Sequence, residues 1–440
     1  MQSFKSEQFT RYSINTVVSQ FSIFIIAVVT SIITARLLGP EGKGQLALVL
    51  LIPMLVVTFG KMGIGHAVNY YAGKTTSTKL IANSLALSVL ISVLLIIPSF
   101  LTVFSVKSIF FKEVDERFII IICSFMPFYL FNNHFISLLQ GLYRIDHINI
   151  ISIARSAINL ILLIVLIRIF SLGLTGAIIA AIVSVLLAVF LLAFFLFKEI
   201  NLKEVGLDFN LMKQLLKFGF KSHTGNILKD LSYRSDILII SYFLPAASVG
   251  YYTVAVVIGE IIWNIPNAIG SVLLPRVARM DNKSAKLFTP AVIRTILVPV
   301  TIACFMIFLL GKSIIIFAFG QDFLPSASAL IILLPGIWAL TVWKILASDL
   351  IAQGHPMKYS FTSGIALVTM VILDLWLIPE LGINGAAIAS TISYIAATVS
   401  IIFIYTRITG NSLKELFVPT RAEFLLYQRI LRSVFGEKYV

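Results

Sequence analysis

Lys61, Arg155, Lys229, Arg234, Arg294 and Lys344 are cations set inside stretches too apolar to solvate them, and Asp230, Asp236, Glu260, Asp349 and Asp374 are acids in the same position. A charge in hydrocarbon is costly, so each needs a partner, a wet cavity or a function. Cations around a cavity bind an anion; a buried carboxylate takes a proton or a metal cation. Arg155, Arg234, Lys61 and Lys344 are read as substrate-binding cations, and Glu260 and Asp374 as groups that couple an ion or proton. Asp230 and Arg234 lie four apart and are expected to neutralise each other along one helix. Lys229 and Arg294, nearer the ends of their runs, are expected to snorkel to the membrane surface.

The neighbours of these charges form stripes. Glu260, Asn264, Asn267 and Ser271 recur at helical spacing, as do Asn226, Asp230, Arg234 and Ser241. Ser152, Arg155, Ser156 and Asn159 make a third stripe, and Lys61, Gly65 and Asn69 a fourth. Lipid cannot satisfy such faces, so they turn inward. Asn264, Asn267, Asn159 and Asn226 either line a cavity or bond helix to helix; Ser and Asn commonly do the latter.

Enzyme chemistry is not found. His66, His134, His147, His223 and His355 are scattered, with no H-E-x-x-H and no Cys-His zinc spacing. No G-x-S-x-G and no phosphate loop ending in Lys-Ser/Thr occurs, so neither a cofactor nor direct ATP drive is expected. Cys123 and Cys304 sit in apolar runs and read as small core residues.

The elements that position these groups follow from composition. The chain has 440 residues, 59% hydrophobic and 12% charged, with mean hydropathy +0.99. A soluble chain is about one quarter charged, so this is an integral membrane protein. A crossing helix needs about 20 apolar residues. Twelve runs qualify, at roughly 13–35, 45–70, 80–104, 117–140, 148–168, 173–197, 219–243, 248–275, 289–311, 325–352, 359–379 and 383–406. Strand-length alternation is absent, so the fold class is all-α. With the N-terminus inside, inner loops carry about three times the Lys and Arg of outer loops, which places both termini in the cytoplasm. Most of the net charge of +14 is therefore topology, and no nucleic-acid partner is expected. The opening MQSFKSEQFTRYSINTVV lacks a short apolar core before a cleavage site, so no removable signal peptide is expected.

The chain repeats itself. LGLTGAIIAAIVS (172–184) returns as LGINGAAIASTIS (381–393), identical at seven of thirteen positions. LLQGLYR (138–144) faces IAQGHPMK (351–358), and Pro53 and Pro266 fall inside the second and eighth runs. Six spans per half return the chain to the same side, so the halves form a parallel repeat flanking a central site. The expected units are a six-helix bundle over 1–197, a cytoplasmic linker over 198–218, a second bundle over 219–408 and a tail over 409–440. Leu211, Leu215 and Phe218 give the linker an amphipathic helix. Phe424, Tyr427, Leu431 and Phe435 give the tail an apolar face suited to the inner leaflet.

TARLLGPEGKGQLALVL (34–50) is rich in glycine and holds Lys43. Gly39-Pro40 ends the first helix, and the stretch reads as an outer turn with Lys43 as a solvated loop charge. Its second-half echo, LPAASVG, has no lysine, which argues against a phosphate loop. ARLLGPEGKGQLALVLLIPMLVVTFGKMGIGHAVNYYAGK (35–74) resembles the start of oligosaccharide flippases. These are the polysaccharide-transporter branch of the multidrug/oligosaccharidyl-lipid/polysaccharide exporter (MOP) superfamily. LLQGLYR, LGLTGAIIA and LLKFGFK occur in the order the resemblance requires, over essentially the whole chain.

The resemblance implies flipping of undecaprenyl-pyrophosphate-linked oligosaccharides across a bacterial cytoplasmic membrane, for O-antigen, capsule or exopolysaccharide. It implies as partners the lipid-linked cargo, membrane lipids and the glycan polymerase machinery. Lipid II flippases of the superfamily carry arginines in the first span; nothing basic lies between Arg11 and Arg36 here, which disfavours that cargo. The alternatives are an ion-coupled multidrug exporter and a membrane glycan polymerase or transferase. The span cations weigh against the first and the short outer loops against the second.

Overall fold

The computed structural model describes residues 2–277, 280–420 and 423, with side chains from Asn15 onward except at 202, 221, 222, 271, 272, 274, 275, 282 and 283. The described residues are almost wholly helical and contain no strand.

The first helix, α1 (Gln2–Gly60), bends at Gly39 (φ 67, ψ −178). Pro40 bars helical geometry from the residue before it, and positive φ is cheap only for glycine. The apolar part, Asn15–Gly60, has 46 residues. At 1.5 Å per residue it is about twice the thickness of the hydrocarbon core, so the two arms are two crossings. The expected loop is thus a one-residue bend, and Lys43 is not the solvated charge that a loop would make it. Its Nζ donates to Thr34 Oγ1 (2.7 Å) and Ser31 Oγ (3.0 Å) of the first arm. The bend folds the second arm's first turn back onto the end of the first.

The next helices are α2 (Ile64–Tyr71), α3 (Ser77–Phe110), α4 (Glu116–Ser124), α5 (Met126–Gly141), α6 (Ile145–Ile164) and α7 (Gly173–Phe197). After a short connection come α8 (Phe209–Ser232), α9 (Ser235–Phe243), α10 (Ala246–Val277), α11 (Asn282–Ala318), α12 (Ser326–Ala352), α13 (Pro356–Leu381), α14 (Ile383–Thr409) and α15 (Leu413–Phe417). Ten segments among the described residues are long and apolar enough to cross a membrane. Counting both arms of α1, and adding the more polar α8–α9 pair, gives the twelve crossings expected.

The repeat has a structural basis. Gly173 (φ 52), the first residue of α7, and Gly382 (φ 59), just before α14, both turn the chain with positive φ. Three residues on, Gly176 lies against Leu166 and Gly385 against the Leu377 carbonyl, each on the helix just left. A side chain at either position would push the paired helices apart.

The linker helix does not stand alone. α8 starts at Phe209 and runs unbroken to Ser232, so one helix serves as both the end of the linker and the first part of the seventh span. Leu211 and Leu215 are buried in an apolar cluster of the first half, and Phe218 stacks on Tyr70 at 4.6 Å. The amphipathic face therefore finds a protein partner.

The halves also meet at the face opposite the linker. Gly44 and Gly250 approach reciprocally: a β-carbon on Gly44 would overlap the Ala246 carbonyl, and one on Gly250 the Pro40 carbonyl. Three charges close the same seam at helix ends. Arg36 donates to Ala318 O (2.7 Å) and Phe317 O at the C-terminus of α11. Lys112 donates to Tyr242 O (3.0 Å) near the end of α9. Glu113 accepts from Ala246 N (2.9 Å) at the start of α10. Each sign matches the helix dipole it meets.

On the linker face, Arg294 does not snorkel: its guanidinium pairs with Glu423 (2.6 Å) and donates to Glu415 O. Burial raises the Glu423 carboxyl, but bonds from Thr420 and Arg294 outweigh this and hold it down at about 2. The rest of the expected tail helix over 421–435 lies outside the described residues.

Candidate functional site

Two cavities lie side by side, one between the halves and one within the second half. One, of about 470 Å³, is lined by Lys61, His66 and Asn69 from the second span, by Asn133, His134, Ser137 and Gln140 of α5, and by His223, Asn226, Lys229 and Asp230 of α8. The other, of about 360 Å³, belongs to the second half: Tyr233, Trp263, Asn267, Trp343, Lys344, Ser348 and Tyr359 face it. Asn226 and Lys229 line both, so α8 is the shared wall.

Helix α8 can present this face because it stops where it does. After Ser232 the backbone leaves helical geometry at Arg234 (φ −139, ψ −7) before α9 begins. The break takes Arg234 out of the i,i+4 register, so the expected Asp230–Arg234 pair does not form. Asp230 instead pairs with Lys229 (3.1 Å) and Arg234 with Glu260 (3.2 Å). Lys229, expected to snorkel, is thus a paired cation in the wall of the site.

From Arg234 a polar chain runs along α10. Arg234 Nη2 donates to Glu260 Oε1. Asn264 Nδ2 donates to the Glu260 carbonyl (2.7 Å), and Asn267 Nδ2 to Asn264 Oδ1 (3.5 Å). Lys344 Nζ then donates to Asn267 Oδ1 (2.8 Å). Five of the residues singled out in sequence therefore form one network. Ser271, the end of that stripe, lies outside the described side chains.

Lys61 differs from the others. Its side chain lines the larger cavity with no hydrogen-bond or ion-pair partner among the described residues. Lys344 meets only the neutral Asn267, with its ammonium 4.4 Å from the centre of the Trp263 ring. Among the described cations that line the cavities, these two are in no salt bridge. Asn226 bonds His66 Nε2 (3.2 Å) across the halves. Arg155 and Asn159 of α6 line neither cavity; Arg155 sits beside Tyr129, and Asn159 Oδ1 is buried without a partner.

Asp374 is wholly buried, and neither of its oxygens has a hydrogen-bond partner. It interacts electrostatically with Asp236, which accepts from Tyr252 Oη (2.7 Å); Tyr252 in turn meets Ser390 Oγ (2.9 Å). Two buried carboxyls that feel each other's charge are not both ionised without a compensating cation or proton.

Sequence reasoning missed the histidines. His66, His134 and His223 converge on the larger cavity with Lys61 and Lys229, and His223 Nε2 lies 2.7 Å from the Thr58 carbonyl across the seam. They come from three separate helices, so no local spacing announces them. The aromatic wall was missed too, because Trp and Tyr in apolar runs look like core or interface residues.

Twelve crossings around polar, cation-bearing cavities define an all-α, multi-pass membrane protein. The sequence pattern of the polysaccharide biosynthesis protein family matches residues 9–281, and the chain belongs to that family. A Shigella flexneri protein named as an O-antigen transporter is 24% identical over 87% of this chain and 94% of its own length. A Haloferax volcanii protein named as a low-salt glycan biosynthesis flippase, Agl15, is 28% identical over 42% of each chain. Among solved structures, the lipid II flippase MurJ in an inward closed conformation superposes with a TM-score of 0.73 at 17% identity, covering 95% of this chain and 96% of that one. An inward-facing multidrug resistance MATE transporter gives 0.73 at 16% identity over 90% and 98%. At these identities the likeness is one of fold.

Proposed function

We propose that the chain flips lipid-linked oligosaccharide repeat units across the bacterial cytoplasmic membrane by alternating access, for O-antigen, capsule or exopolysaccharide synthesis. The cargo head is an undecaprenyl-linked pyrophosphate bearing a glycan, and the linker face is cytoplasmic. One observation carries the reading: two polar cavities share the wall formed by α8, and among the described residues neither Lys61 nor Lys344 is in a salt bridge. An anion with a bulky polar extension satisfies both cations and fills both cavities; a lipophilic cationic drug satisfies neither. Asp374 and Asp236 are the coupling carboxyls on this reading. Arg234 and Glu260 hold α8–α9 against α10, and Arg155 acts from outside the cavities. The glycan polymerase machinery is the expected partner on the outer side.

The test is complementation of a deletion strain. Lys61→Ala with Lys344→Ala is expected to cut surface polysaccharide to the level of the deletion, with the protein present in the membrane at wild-type amount. Arg155→Ala is expected to retain most of it. Wild-type polysaccharide in the double variant, or drug sensitivity as the only phenotype of the deletion, refutes the reading.

A further inference from the structure

The proposed cargo has two chemically different parts, a diphosphate and a saccharide, and the two cavities differ in the same sense. The larger cavity presents Lys61, Lys229 and three histidines, and no Phe, Tyr or Trp stands in its described lining. The smaller is walled by four aromatic rings. Tyr233 and Trp263 pack with centroids 4.9 Å apart, and Trp343 and Tyr359 with centroids 5.5 Å apart. Both pairs are fixed in place. Trp343 Nε1 donates to Thr362 Oγ1 (3.1 Å), and Lys344, held by Asn267, lies over Trp263. Amides and a hydroxyl, Asn226, Asn267 and Ser348, line the same cavity.

This mixture has a chemical meaning. A pyranose carries C–H bonds on its faces and hydroxyls on its rim. The C–H bonds are weakly positive and seat on the negative face of an aromatic ring; the hydroxyls need side-chain donors and acceptors at the edge. A purely apolar pocket would leave the hydroxyls unpaired, and a purely ionic one would leave the faces wet. We propose that the aromatic cavity is the saccharide subsite, taking the sugar next to the diphosphate between Trp263 and Tyr359, while the histidine–lysine cavity holds the diphosphate. The assignment rests on the flippase reading and adds to it a division of labour. Asn226 and Lys229, common to both cavities, lie where the sugar–phosphate bond falls.

Binding to the purified full-length chain in lipid nanodiscs tests it with two probes. Farnesyl diphosphate has the anion and an isoprenoid but no sugar; the lipid-linked saccharide extracted from the producing cells has all three. Wild type is expected to bind the saccharide-bearing probe more tightly. Trp263→Ala is expected to weaken that probe by at least about fivefold and to leave farnesyl diphosphate unchanged, with Trp263→Phe restoring most of the loss. Lys61→Ala is expected to weaken both probes. Equal loss of both in Trp263→Ala, loss of neither, or a wild type that binds both equally overturns the aromatic subsite and leaves the anion site standing. A wild type that binds neither probe overturns the cargo reading, and the subsite with it.

Discussion

Substituting Gly44 by valine is expected to abolish transport while the protein still inserts. A β-carbon at Gly44 would overlap the Ala246 carbonyl and come within 3.0 Å of Gly250 N, all rigid helix backbone. The reciprocal contact of Gly250 with Pro40 means neither helix can yield without opening the seam. The charges around it, Arg36, Lys112 and Glu113, bond helix ends of the other half and would be pulled apart with it. Alternating access needs both the closed and the open form of this seam. A bias of about 5.5 kcal/mol turns a 99:1 equilibrium into 1:99, and the overlap at Gly44 is with backbone that no rotamer change relieves. The variant is therefore expected to stay open on the face opposite the linker. The readout is labelling of Asn267→Cys, with Cys123 and Cys304 replaced by serine, using a membrane-impermeant maleimide from outside. Labelling is expected to be faster with Gly44→Val than with Gly44 intact. Full transport in Gly44→Val would show that the seam does not cycle.

Asp374→Asn is expected to raise stability and stop coupled transport together. A buried carboxyl with no donor on either oxygen, beside a second carboxyl at Asp236, costs folding free energy. The amide has the same shape and carries no charge. Relief of up to about 1–3 kcal/mol is expected, the scale of leaving a buried polar group unsatisfied, and should appear as a higher melting temperature in detergent. If Asp374 and Asp236 hold the coupled cation or proton, the same variant loses the dependence of transport on ion gradients. A destabilised variant with normal coupling would make Asp374 a structural residue.

Much of this arrangement is legible in the sequence, and the illegible part has physical causes. Twelve crossings follow from hydropathy because hydrocarbon thickness fixes helix length. The network from Glu260 to Asn267 follows from one-helix spacing, and Lys344 joins it because a lone cation in a span must find an acceptor. Pairing was misread at Asp230 and Arg234 because the helix break after Ser232 carries no glycine or proline; nothing local marks it. Lys43 was misread because a glycine-rich stretch implies a loop, whereas Gly39 alone makes the bend and the helix resumes at once. The convergence of His66, His134 and His223 depends on how three helices pack, and sequence periodicity reports only one helix at a time.

The central claim is most directly tested by reconstituting the purified chain into vesicles loaded on one leaflet with the extracted lipid-linked saccharide. Arrival of the glycan at the opposite leaflet is read with a glycosidase that cannot cross the bilayer. The account predicts release of sugar that requires the wild-type chain and falls to the protein-free rate with Lys61→Ala, Lys344→Ala. Release no faster with the wild-type chain than in protein-free vesicles, under every ion gradient applied, would contradict it.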